Sequence, residues 1–123
     1  MVFNILIDNT DDHEKNHVLL MNDRGEYALS PAFDVLPTGQ ALGYQQMRVG
    51  HDGAVSSIDN ALSEANQFGL NARDARDEVR AVAAVVDGWR DHFVACGVSA
   101  SDIDLLAAQI DRPDWVSQRT AAR

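Results

Sequence analysis

The chain has 123 residues, 46% of them apolar, which is enough for one domain with a core of its own. Its 19 acidic and 10 basic residues give a net charge of −9, which argues against direct nucleic-acid binding, since basic side chains drive that by neutralising phosphates. No apolar run approaches the roughly 18 residues of a membrane span, the start is too short and too poor in basic residues for a signal peptide, and the lone Cys96 permits no internal disulfide, so a cytoplasmic protein is expected.

Residues 1 to 55 read as loop-rich and residues 56 to 112 as helical, giving a mainly α fold with a small β-hairpin. Val2 to Ile7 is a short apolar run with no cap before it, as if the chain began inside an element. It ends at Asp8-Asn9-Thr10-Asp11, a turn-forming cluster whose side chains compete for backbone hydrogen bonds. His17 to Met21 is β-prone, Asn22-Asp23-Arg24-Gly25 is a turn, and Glu26 to Leu29 returns as a second strand. Ser30-Pro31 then breaks the ladder. Residues 36 to 54, with four glycines and Pro37, form a long loop with a short strand over Gln46 to Val49.

Three helices are predicted next. The first is capped by Ser56 or Ser57, buries Ile58, Ala61, Leu62, Ala65 and Phe68, and stops at Gly69. The second runs from Ala72 to Ala95, with Ala75, Val79, Val82, Val86, Trp89 and Phe93 spaced by four or three as a core stripe. Gly97 ends it, and Cys96 beside it is expected to be at least half-buried. The exposed face carries Arg73, Asp74, Arg76, Asp77, Glu78 and Arg80. The third helix starts at Ser99 or Ser101 and runs through Ile110 to Pro113; residues 114 to 123 are left unassigned.

The chemistry lies earlier. Phosphoryl transfer asks a protein mainly for placement: a carboxylate to orient and deprotonate the attacking hydroxyl, and hard oxygen ligands to hold Mg²⁺ against the nucleotide phosphates. In protein kinases the base and a metal-binding Asn lie five residues apart on one loop, and a metal-binding Asp follows a short hairpin. Asp11 and Asn16 have that spacing, residues 17 to 29 form the hairpin, and Asp34 follows. The hairpin is expected to return Asp34 to the side of Asn16, so that one ion meets both.

The runs Thr10-Asp11-Asp12-His13-Glu14-Lys15-Asn16 and Leu29-Ser30-Pro31-Ala32-Phe33-Asp34-Val35 resemble the C-terminal domain of HipA-like serine/threonine kinases, the toxins of bacterial toxin–antitoxin modules. That family has a Thr-Asp-x-His-x-Lys-Asn loop and a Ser/Thr-Pro-x-Tyr/Phe-Asp segment. The resemblance covers about residues 3 to 95 and implies a kinase C-lobe-like helical domain. It implies Asp11 as catalytic base and Asn16 and Asp34 as Mg²⁺ ligands. His13, Glu14, Lys15 and Asn16 would lie along the ATP phosphates, with Lys15 the cationic member. It implies a protein substrate or an antitoxin as partner.

Half of the kinase pattern is missing. There is no Gly-x-Gly-x-x-Gly, and Lys15 is the only lysine. The whole chain is therefore expected to be one C-lobe domain without its N-lobe, inactive alone and prone to form homo-oligomers through its N-terminal half. Two alternatives stand beside this: a non-catalytic interaction module derived from the lobe, and a zinc site. His13-Glu14-Lys15-Asn16-His17 spells H-E-x-x-H, with His51 or His92 as third ligand, but that signature works only on a helix.

Overall fold

The computed structural model describes residues 1–122. Six helices and one two-stranded antiparallel sheet are found among them: α1 Val2–Leu6, β1 Leu19–Met21, β2 Tyr27–Leu29, α2 Ile58–Ser63, α3 Ala72–Asp87, α4 Trp89–Ala95, α5 Ala100–Ile110 and α6 Pro113–Ala121. The fold is mainly α with a small β-hairpin, as its apolar periodicities predict.

α1 is central. Five residues are too few for a stable isolated helix, and α1 has no side-chain cap at Met1. Tertiary burial holds it instead. Ile5 and Leu6 are fully buried, and α1 packs against α2, α3 and α6. Each such aliphatic side chain contributes about 1.5–3 kcal/mol when removed from water. The core continues through Ile58 and Ala61 of α2, Val79, Ala83 and Val86 of α3, Trp89 of α4, and Ile103 and Ile110 of α5. The predicted α3–α4 stripe is present: Ala75, Val79, Val86 and Trp89 are buried, and Val82 and Phe93 pack against the cluster.

Four expectations need correction. The helix predicted to reach Phe68 ends at Ser63, and a 3₁₀ turn over Ala65–Phe68 leaves Phe68 65% exposed. Ser63 Oγ donates to the carbonyl of Asn60 at 2.6 Å, a local bond that competes with the next helical turn, and the distant Arg48 holds Glu64 at 2.7 Å. The single helix from Ala72 to Ala95 is interrupted at Gly88 (φ −84°, ψ 5°), where glycine weakens helix preference. No strand forms at Gln46 to Val49; only isolated bridges join Tyr44 to Val55 and Gly50 to Gly53. The Asn60 side chain takes the backbone groups of Asp52, Gly53 and Val55 that a ladder would use. Cys96 is exposed, its Sγ 3.7 Å from His92 Nε2.

The unassigned tail contributes α6. Pro113 sits in its first turn, where a missing N–H costs nothing. Its buried residues Trp115 and Arg119, four apart, face inward. The Arg119 guanidinium donates to Asp87 at 2.8 Å, to Asp111 at 3.0 Å and to the carbonyl of Ile110 at 2.8 Å, tying α6 to α3 and to the end of α5.

Candidate active site

After α1 the chain turns sharply at Asp8, which adopts φ 58°. This left-handed conformation is tolerated by Asp more readily than by most residues. The cluster from Asp8 to Asp12 is polar, yet Asp8, Asn9, Thr10 and Asp12 are buried, as is Asn4 on α1. Buried polar groups are costly unless hydrogen-bonded, and these bond mostly to one another and to the segment near Thr38. The Asp8 carbonyl accepts from Thr38 N at 3.0 Å and from Thr38 Oγ1 at 2.7 Å. Asp8 Oδ2 accepts from Ala41 N at 2.9 Å. Thr10 and Thr38 share a hydroxyl–hydroxyl bond of 2.7 Å.

A second set runs through the loop. Asn4 Nδ2 donates to Asp12 Oδ2 at 2.7 Å, and His17 Nε2 donates to Asp12 Oδ1 at 2.9 Å. Asn9 Nδ2 reaches Asn4 Oδ1 at 3.3 Å and the carbonyl of Asp34 at 3.5 Å. Asn9 Oδ1 accepts from the Asp11 amide at 3.3 Å, the local side-chain bond expected of this cluster.

Upon this frame sit the residues singled out in the sequence. Asp11 is exposed between buried Thr10 and Asp12. His13 is half-buried, and its Nδ1 accepts from Lys15 N at 3.3 Å. Glu14–Asn16 form one 3₁₀ turn with Glu14 and Lys15 exposed. Asn16 is half-buried, and its Nδ2 is buried without a partner. The hairpin pairs Leu19 with Leu29, and Ser30 N donates to Val18 O at 2.9 Å, so the chain re-enters beside its starting point. Asp34 follows, exposed, with φ 55°. Asn16 and His17 share a cavity of about 380 Å³ with Ala32, Phe33 and Val35, the residues flanking Asp34. Asp11 and Asp34 themselves are not part of its wall.

Asn16 and Asp34 offer the hard oxygen donors that Mg²⁺ favours. No protein donor engages Asn16 Oδ1 or the Asp34 carboxylate among the described residues, so the oxygen donor set fits that ion. The zinc arrangement lacks its precondition. His13 is extended, Glu14–Asn16 is 3₁₀ rather than α, and His17 Nε2 is engaged by Asp12. His51 lies 3.8 Å from Glu64 and His92 beside Cys96, and no three His, Cys, Asp or Glu side chains converge among the described residues.

The sequence marks Asp8 and Asn9 as a turn cluster and His17 as part of an H-E-x-x-H run, but it does not show that they join Asn4, Asp12 and Thr38 in one frame. One signal was present. Asn4 interrupts an apolar run, and a polar residue inside a core element needs a buried partner.

The molecule is thus a mainly α protein in which a polar loop and a hairpin-delivered aspartate flank one cavity. A family described as the HipA-like C-terminal domain matches residues 1–89, and the chain belongs to that family. The match runs from α1 to the first residue of α4; α5 and α6 lie beyond it. No curated protein and no solved structure matches the chain.

Proposed function

We propose that the chain is the catalytic-lobe portion of a HipA-like serine/threonine kinase of the toxin–antitoxin type, acting in the cytoplasm to move the ATP γ-phosphate to a protein hydroxyl. One observation carries this reading. A buried hydrogen-bonded frame fastens the backbone at Asp11 and Asp34 and the turn at Asn16, while neither carboxylate nor the Asn16 side chain has a partner among the described residues. Groups held by their backbones and left uncommitted at their tips suit substrate work rather than structure.

In this reading Asp11 orients the attacking hydroxyl and accepts its proton as oxygen bonds to the γ-phosphorus and the bridging bond to the β-phosphate breaks, releasing ADP. Lys15 supplies a cation beside the phosphates, with His13 and Glu14 along the same turn. Asn16 and Asp34 would hold Mg²⁺, which when bound neutralises phosphate charge. The 123 residues include no Gly-x-Gly-x-x-Gly and no second lysine, so alone they are expected to transfer no phosphate. Radiolabelled transfer by the purified chain, lost in Asp11→Asn, would contradict that expectation.

The metal half is tested by NMR with Mn²⁺ and ATP. Paramagnetic broadening is expected at Asn16 and Asp34 and should vanish in Asp34→Ala. Broadening confined to other residues would sink the reading. A second reading, a non-catalytic module that binds an antitoxin or another protein, is favoured by the exposed apolar hairpin. It predicts partner binding that survives Asp11→Asn and Asp34→Ala unchanged.

A further inference from the structure

The loop pattern Thr-Asp-x-His-x-Lys-Asn leaves position 12 open. The structure makes Asp12 a junction of the loop. Its carboxylate is buried, with both oxygens used: Oδ2 by Asn4 Nδ2 at 2.7 Å and Oδ1 by His17 Nε2 at 2.9 Å. The His17 bond closes a ring across residues 12 to 17, and His13, Glu14, Lys15 and Asn16 lie inside it. Within the ring the backbone N–H of Asn16 donates to His13 O at 2.9 Å and that of His17 to Glu14 O at 3.2 Å. The Asn4 bond anchors the ring to α1, which carries the fully buried Ile5 and Leu6. Asn4 also accepts from Asn9, and Asn9 in turn holds the amide of Asp11 and reaches the carbonyl of Asp34.

We propose that Asp12 is the positioning residue of this site, holding Asp11, Asn16 and Asp34 in one register through the chain His17–Asp12–Asn4–Asn9. The inference rests on the kinase reading for what the three residues do, but not for how they are held. Asp12 lines the cavity beside Asn16 but is assigned a positioning role. Its two oxygens are already occupied by protein donors, and a carboxylate buried at this cost is retained where its bonds fix a geometry. His17, more exposed, is the outer half of the clamp.

The test compares Asp12→Ala, Asp12→Asn and His17→Ala by two readouts: amide hydrogen exchange at Asn16 and His17, and Mn²⁺-induced broadening at Asn16 and Asp34 in the presence of ATP. Asp12→Ala is expected to speed exchange at both amides about tenfold and to weaken Mn²⁺ binding by a similar factor. Asp12→Asn keeps an oxygen for Asn4 and an amide for His17, so it should restore most of both. His17→Ala opens the ring from the surface and gives the exchange phenotype even if Asp12→Ala does not fold. Unchanged exchange in His17→Ala overturns the proposal. So does an Asp12→Asn variant as defective as Asp12→Ala, because charge rather than hydrogen-bond geometry would then be responsible. If Mn²⁺ broadens neither Asn16 nor Asp34 in the unaltered chain, the kinase reading fails, while the exchange measurements still decide the role of Asp12.

Discussion

At Gly50 the backbone passes so close to α2 that a Cβ would lie 1.9 Å from the carbonyl oxygen of Asn60 and 2.5 Å from Ser63 Oγ. The obstacle is helix backbone and cannot swing aside. Gly50→Ala is therefore expected to destabilise the protein by at least about 2 kcal/mol, read as a lower midpoint in urea. Gly88 is the opposite case. Its φ is negative, and a Cβ would meet only ordinary contacts at 3.6 and 3.8 Å. Gly88→Ala should stabilise the protein by about 0.5 kcal/mol through the unfolded chain, raising the thermal midpoint slightly. Both glycines are visible in the sequence, but nothing in it separates them. One is required by a neighbour ten positions away and the other only marks a helix interruption.

Among the elements, α6 and the hairpin show opposite relations to the core. α6 is locked by buried Arg119, whose guanidinium meets Asp87, Asp111 and the Ile110 carbonyl. Removing one partner of a buried charge cluster is costly, but both carboxylates retain some exposure, and Asp111 also keeps Arg90 and Trp89. Arg119→Ala is accordingly expected to cost about 2–3 kcal/mol, with hydrogen exchange rising first in α6. The hairpin has no such anchor. Its register places Leu19 opposite Leu29 and Met21 opposite Tyr27, four large apolar side chains on one face, each 62% to 66% exposed. An isolated two-stranded hairpin is marginal in water. Leu29→Glu should change stability by no more than about 0.5 kcal/mol, because the Leu29 side chain is two-thirds exposed.

For the whole molecule the exposed hairpin, together with exposed Phe33, Val35 and Leu36 just beyond it, forms an apolar tract in the N-terminal half. Large exposed apolar patches drive association. Light scattering at high protein concentration is expected to give a mass above that of the 13.5 kDa chain, reduced toward it by Leu29→Glu. A monomer mass throughout would remove the case for homo-oligomers. No helix of the described residues is long and apolar enough to cross a membrane.

The mainly α class, the α3–α4 core stripe, the hairpin and the spacing of Asp11, Asn16 and Asp34 were legible in the sequence by itself, while the absence of a strand at Gln46 to Val49 and the presence of α6 were not. Each legible feature depends on periodicity or turn chemistry within a few residues, or on a short pattern at fixed spacing. What only the tertiary structure decided involves partners far apart in the chain. The bonds of Asp8 to Thr38 span 30 positions and that of Ile58 to Gln118 spans 60. Local preference could not foresee that Glu64 would leave its helix for Arg48, or that Arg119 would be buried against Asp87. The same holds for Asp12. In the sequence it is one more acidic residue in a polar loop. Only when α1 brings Asn4 against it, and the turn of Glu14–Asn16 returns His17, does its carboxylate acquire two fixed donors and a place in the site.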